Sequence, residues 1–161
     1  MTESPETPSA TDPLLAKLRD IRQRQDLKLK PCSVLQEKVT LPDGRVIDFV
    51  LRPYQSQMVL HLLLLPRFMV GDDTGLGKTI ETIAALGYKW EVDPAMKVVI
   101  VTTKSAVTQW CDEIGLFMRG ITVFKAVGSP AQRQKAREAF LRCETPAAMV
   151  CGYRTLVQDF T

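Results

Sequence analysis

Apolar and polar positions alternate between two periods along this chain, and the switches between them mark out its elements. In "VLQEKVTLPDGRVIDFVL" two β-prone runs flank Pro42-Asp43-Gly44, and that turn chemistry predicts a hairpin. "RPYQSQMVLHLLLLP" reads as a helix that opens on Pro53, whose fixed φ suits a first turn, and that stops at Pro66. Beyond it, four short apolar runs, "RFMV", "KVVIVTT", "ITVFKAV" and "AAMVCGY", read as strands. Helical patterns at about 77–90, 105–118 and 130–142 separate them, the last with Ser129 as cap and Pro130 in its first turn. Strands apolar on both faces and spaced by helices predict an α/β fold with a doubly wound parallel sheet.

Upstream the pattern weakens. Residues 1–12, rich in Ser, Thr, Pro and Glu, carry too little apolar surface to order themselves and read as a disordered tail. Asp12 and Pro13 then open a helix with Leu14, Leu18 and Ile21 on one face and Lys17, Arg19, Arg22 and Arg24 on the other. The organisation expected is thus a tail over 1–12, an N-terminal helix and hairpin over 13–45, and an α/β unit over 46–161.

Composition narrows this picture only slightly. The 161 residues, 45% of them apolar and 24% charged, suit one globular domain, and a net charge of +3 permits a polyanionic partner without requiring one. Four cysteines without CxxC pairing and a single histidine, His61, offer no metal-ligand spacing and read as reduced thiols. The greasiest run, "MVLHLLLLP", is interrupted by His61 and ends far short of the roughly 20 residues a membrane span needs. The first residues carry neither a basic nor an apolar signal region, so a cytoplasmic protein, or a nuclear one in a eukaryote, is expected, not a secreted one.

The chemistry concentrates in "GDDTGLGKTIETIAAL", where an apolar run leads through a glycine-rich turn into a helix. Gly75 and Gly77 let the backbone curl its N–H groups around a phosphate, and the helix start adds partial positive charge. Lys78 would reach the β- and γ-phosphates, and the Thr79 hydroxyl would face Mg²⁺. The strict phosphate-loop pattern has glycine where this chain has Asp72. That departure, with its neighbours, resembles the D-E-M-G-L-G-K-T motif of Swi/Snf-type ATPases, the DNA translocases of helicase superfamily two. Asp73 aligns with the motif's Glu and Thr74 with its Met.

Three flanking segments extend the resemblance over roughly residues 46–161. "LRPYQSQMVLHLL" is similar to the family's L-R-x-Y-Q segment, which implies that Gln55 reads the adenine edge; as an isolated residue it would be an ordinary helix-surface amide. "VVIVTTKSAVTQWCDEIGLF" resembles the family's next strand and helix, and implies a DNA-backbone contact at Thr102, Thr103 and Lys104. The family commonly has proline where this chain has Thr103, and the same three residues suit a polar strand end and helix cap. "MVCGYRTL" is similar to a later strand, with Arg154 in place of the family's acid. Trp110, inside a predicted helix, reads as core.

The resemblance implies a partial RecA-like first ATPase lobe using ATP and Mg, with cofactor contacts from Gln55, Asp73, Thr74, Gly75, Leu76, Gly77, Lys78 and Thr79. It also implies a DNA partner, duplex and independent of sequence. The family supplies its metal-holding acids from a D-E-x-H strand end and its arginine from a second lobe. Here the only Asp-Glu pair, Asp112-Glu113, falls in a predicted helix with no strand before it. The expectation is therefore ATP binding with little or no turnover unless the remainder of a longer or split ATPase is present. A stand-alone, non-catalytic nucleotide-binding or interaction module is the alternative.

Overall fold

A computed structural model describes residues 29–71, 73 and 75–160. The expected tail and N-terminal helix lie outside the described residues, as do Asp72, Thr74 and Thr161.

The hairpin forms at its turn signal. Strand β1 (Lys38–Thr40) pairs antiparallel with β2 (Val46–Asp48), Val39 opposite Ile47. Gly44 takes φ 85° in the turn, and Asp43 bonds both the N–H and the guanidinium of Arg45. The second strand runs past residue 45, so the boundary expected there cuts through the hairpin. Val39 points into the core while β2 is exposed along its length.

Among the described residues, five helices and three further strands follow. They are α1 (Pro53–Leu64), α2 (Lys78–Val92), β3 (Lys97–Thr102), α3 (Ala106–Phe117), β4 (Thr122–Ala126), α4 (Pro130–Arg142), β5 (Ala147–Gly152) and α5 (Tyr153–Phe160). The three strands make a parallel sheet in the order β3-β5-β4, with Val99 opposite Met149 and Phe124 opposite Met149 on the other side. The chain steps from β3 out to β4 and then back to the middle. With crossovers of one hand, stepping in opposite directions puts the connecting helices on opposite faces. The packing agrees. Ala148 and Val150 of β5 face a core that includes Ile83 of α2 and Val107 and Ile114 of α3. Ala147, Met149 and Cys151 face a second core closed by Phe140 of α4 and Leu156 of α5. This is the doubly wound α/β architecture expected, in partial RecA-like form, with β5 buried on both faces.

Two expectations need correction. "RFMV" is not a strand: residues 67–70 have no regular structure, Phe68 stacks on His61 of α1 at 5.3 Å between ring centroids, and Met69 is 87% exposed. An apolar run becomes a strand only where a neighbour takes its N–H and C=O groups, and among the described residues β3 pairs with β5 alone. Val99, mid-strand in β3, is consequently 40% exposed. The second correction is at Tyr153, which ends no strand but opens α5 directly after Gly152.

A strap over 29–36 crosses the helices. Leu35 bridges to Met118, Arg119 N–H donates to the Val34 carbonyl at 2.7 Å, and the Tyr88 hydroxyl of α2 donates to the Lys30 carbonyl at 2.6 Å. Leu35 lies so close to Gly87 that a Cβ there would come within 2.7 Å of its Cδ2. At the other end of the unit, Arg133 of α4 holds Asp159 of α5 through two hydrogen bonds of 2.8 and 2.9 Å. Among the described residues no helix is long and apolar enough to cross a membrane.

Candidate nucleotide-binding site

The glycine-rich loop ends on α2, whose first residue is Lys78. Its two glycines carry the backbone bend: φ is 87° at Gly75 and 93° at Gly77, the left-handed region that a side chain disfavours. Gly77 is the residue at which the chain enters the helix, and the Glu81 N–H donates to its carbonyl at 3.0 Å. The helix start presents N–H groups and partial positive charge to whatever lies in front of it. The Lys78 ammonium reaches back across the loop to the Asp73 carbonyl at 2.9 Å. The bond ties the lysine side chain back to the loop that precedes the helix. Thr79 is half-buried in the first turn of α2, and Glu81 beside it is fully buried.

Helix α1 supplies the wall behind the loop. Gln55, only 8% exposed, uses both ends of its amide: Oε1 accepts from the Arg52 N–H at 3.0 Å, and Nε2 donates to the Leu76 carbonyl at 3.1 Å. The Tyr54 hydroxyl donates to the same Leu76 oxygen, also at 3.1 Å. A Cβ on Gly77 would stand 2.5 Å from Gln55 Nε2, so glycine at 77 answers a steric need as well as a backbone one. Beside this contact a groove of about 340 Å³ is lined by Tyr54, Gln57, Met58, His61 and Leu76.

The structure thus brings Gln55, Asp73, Gly75, Leu76, Gly77, Lys78 and Thr79 to one loop and its supporting helix; Thr74 lies outside the described residues. A four-residue connection returns the chain from α2 to β3, with Trp90 Nε1 donating to the Met96 carbonyl at 2.8 Å across it. The start of α2 therefore lies toward the carboxyl edge of the sheet, the edge where open α/β sheets bind ligands. Thr102, Thr103 and Lys104 leave β3 at that edge, and Thr103 and Lys104 are exposed. Thr103 Oγ1 lies 3.2 Å from Ser105 Oγ, and its carbonyl accepts from the Ala106 N–H, so it also serves the turn into α3. Asp112 and Glu113 sit within α3, Glu113 accepting from the Gln109 side chain at 2.8 Å. Trp110 packs against the core, as its helical position implied.

Sequence reasoning missed Tyr54, although it adjoins Gln55 in the same segment. It also missed that Gln55 braces the loop.

The SNF2-related domain matches residues 54–160, from this tyrosine through the loop to the end of α5. The chain belongs to the SNF2-related family. Helicase SWR1 of Candida albicans is 34% identical over 129 residues, covering 74% of this chain and 8% of that protein. Helicase SWR1 of Saccharomyces cerevisiae is 28% identical over 150 residues, 88% of this chain and 10% of that protein. A probable chromatin-remodeling complex ATPase chain of Oryza sativa subsp. japonica is 32% identical over 103 residues, covering 58% and 9%. The chain spans a tenth or less of the length of these relatives.

Proposed function

We propose that this chain is the ATP-holding portion of a Swi/Snf-type, DNA-dependent ATPase. The observation that carries the reading is the loop itself: two left-handed glycines lead into a helix whose first residue, Lys78, arches over the turn. On binding Mg-ATP, the Lys78 ammonium exchanges the Asp73 carbonyl for phosphate oxygens, a better partner because it is charged. Thr79 would hold the magnesium, which neutralises phosphate charge. Gln55 keeps one N–H and one lone pair beyond its two bonds, the pair of functions that an adenine edge requires. The groove beside it offers Tyr54, Met58 and His61 as an apolar bed for the base.

Thr102, Thr103 and Lys104 suit DNA phosphates, and contacts of that kind carry no base code. A chromatin-directed ATPase works in the nucleus, and the similarity to a probable chromatin-remodeling complex ATPase chain of rice supports that location. Hydrolysis needs a metal-holding acid, a group to orient water and an arginine, and the reading assigns these to the remainder of a longer or split ATPase. The outer edge of β3 supports this: its β-branched run suits an interior strand, and among the described residues no strand pairs with it there.

The test is phosphate release from the 161-residue chain at saturating Mg-ATP, with and without duplex DNA. ATP should bind and no DNA-stimulated turnover should appear. Turnover of about one per second that requires DNA and vanishes in Lys78→Ala would refute the assignment of hydrolysis to other segments.

A further inference from the structure

At the Leu76 carbonyl, α1 grips the glycine-rich loop with two side chains. Tyr54 Oη and Gln55 Nε2, adjacent in the first turn of α1, each donate to it at 3.1 Å. A trans peptide is planar, and its C=O and N–H point in opposite directions. Fixing the Leu76 oxygen against α1 therefore turns the Gly77 N–H away from α1. The peptide needs fixing, because Gly77 has no Cβ and passes between backbone conformations at little cost. Left to itself, the Leu76–Gly77 peptide could turn over and present a carbonyl, not an N–H, to an incoming anion.

We propose that Tyr54 is a positioning residue for phosphate binding: its hydroxyl, acting with the Gln55 amide, orients the Leu76–Gly77 peptide so that the Gly77 N–H is offered to a phosphate group in the loop. The proposal rests on the reading of the loop as a nucleotide site, and it gives Tyr54 a task separate from any contact with the base. Its consequence is specific. Loss of the hydroxyl weakens every ligand that carries the phosphates, whether or not a base is attached.

Tyr54→Phe keeps the ring and removes only the donor. Calorimetric titration of the 161-residue chain with Mg-ATP and with magnesium inorganic triphosphate should show both ligands weakened together, by roughly two- to tenfold, the worth of one hydrogen bond. Without ligand, the ¹⁵N resonance of the Gly77 amide should move, because its conjugated carbonyl has lost a donor. A fold defect alone would not single out that amide. Equal affinity of parent and variant for both ligands overturns the proposal and leaves the nucleotide reading intact. A loss confined to ATP assigns Tyr54 to the base and also overturns it, as does an unmoved Gly77 resonance. If the parent chain binds neither ligand, the nucleotide reading fails and the proposal fails with it.

Discussion

Replacing Gly77 with alanine separates two demands that coincide at one residue. Gly75 and Gly77 have nearly the same φ, 87° and 93°, so an alanine at either carries the left-handed backbone cost of about 1–2 kcal/mol. Their surroundings differ. A Cβ on Gly75 meets nothing within 4 Å, whereas one on Gly77 stands 2.5 Å from Gln55 Nε2. The amide is the far end of a flexible side chain, so it swings aside and gives up its bond to the Leu76 carbonyl, at about 0.5–1.5 kcal/mol. Gly77→Ala should therefore cost about 1 kcal/mol more than Gly75→Ala, a further fall in melting temperature of roughly 2–4 °C for a chain of this length. In a Gln55→Ala background the two alanines should cost the same, since the clash and the bond are both gone; thermal unfolding of the six proteins completes the cycle. Equal costs in the parent background, or a gap that persists without the Gln55 amide, would refute the contact between α1 and the loop.

Two further outcomes test the frame around the site. Hydrogen bonding to Arg133 holds the Asp159 carboxyl below the usual aspartate value of 3.8; its stabilisation is complete above that value and is lost as pH falls through the lower, folded-state value. Melting curves of parent and Asp159→Asn should thus differ by a constant amount above about pH 5 and converge below about pH 4, and a gap of equal size at pH 3 and pH 7 would contradict the α4–α5 tie. Gly87→Ala, which in an open helix would add about 1 kcal/mol of stability, should instead destabilise by about 1 kcal/mol because the new methyl meets Leu35 of the strap; stabilisation in urea titration would show that the strap does not rest there.

What the sequence made legible follows the physics of each signal. Periodicity found β3, β4 and β5 and the helices between them, because each strand is a short apolar run between helical patterns and β5 is buried on both faces, and Pro42-Asp43-Gly44 found the hairpin because its turn demands glycine at positive φ. The same signal misplaced residues 67–70, where hydrophobicity is present but, among the described residues, no pairing partner is, and nothing in "CGYR" announces that helix α5 begins at Tyr153 without a loop. The glycines, Lys78 and Thr79 were readable as a candidate site because phosphate chemistry sets the spacing of such a loop. The grip of Tyr54 and Gln55 on Leu76 was not, since a hydrogen bond to a main-chain carbonyl leaves no mark on the identity of the residue that accepts it.

The most direct test of the account is a calorimetric titration of Mg-ATP into the 161-residue chain and into Lys78→Ala. Saturable binding by the parent, weakened about ten- to a hundredfold by loss of a charge-assisted contact worth about 1.5–3 kcal/mol, is the result the loop geometry predicts. Equal affinities in the two proteins, or no binding by the parent, would show that the turn before α2 is not a nucleotide cradle.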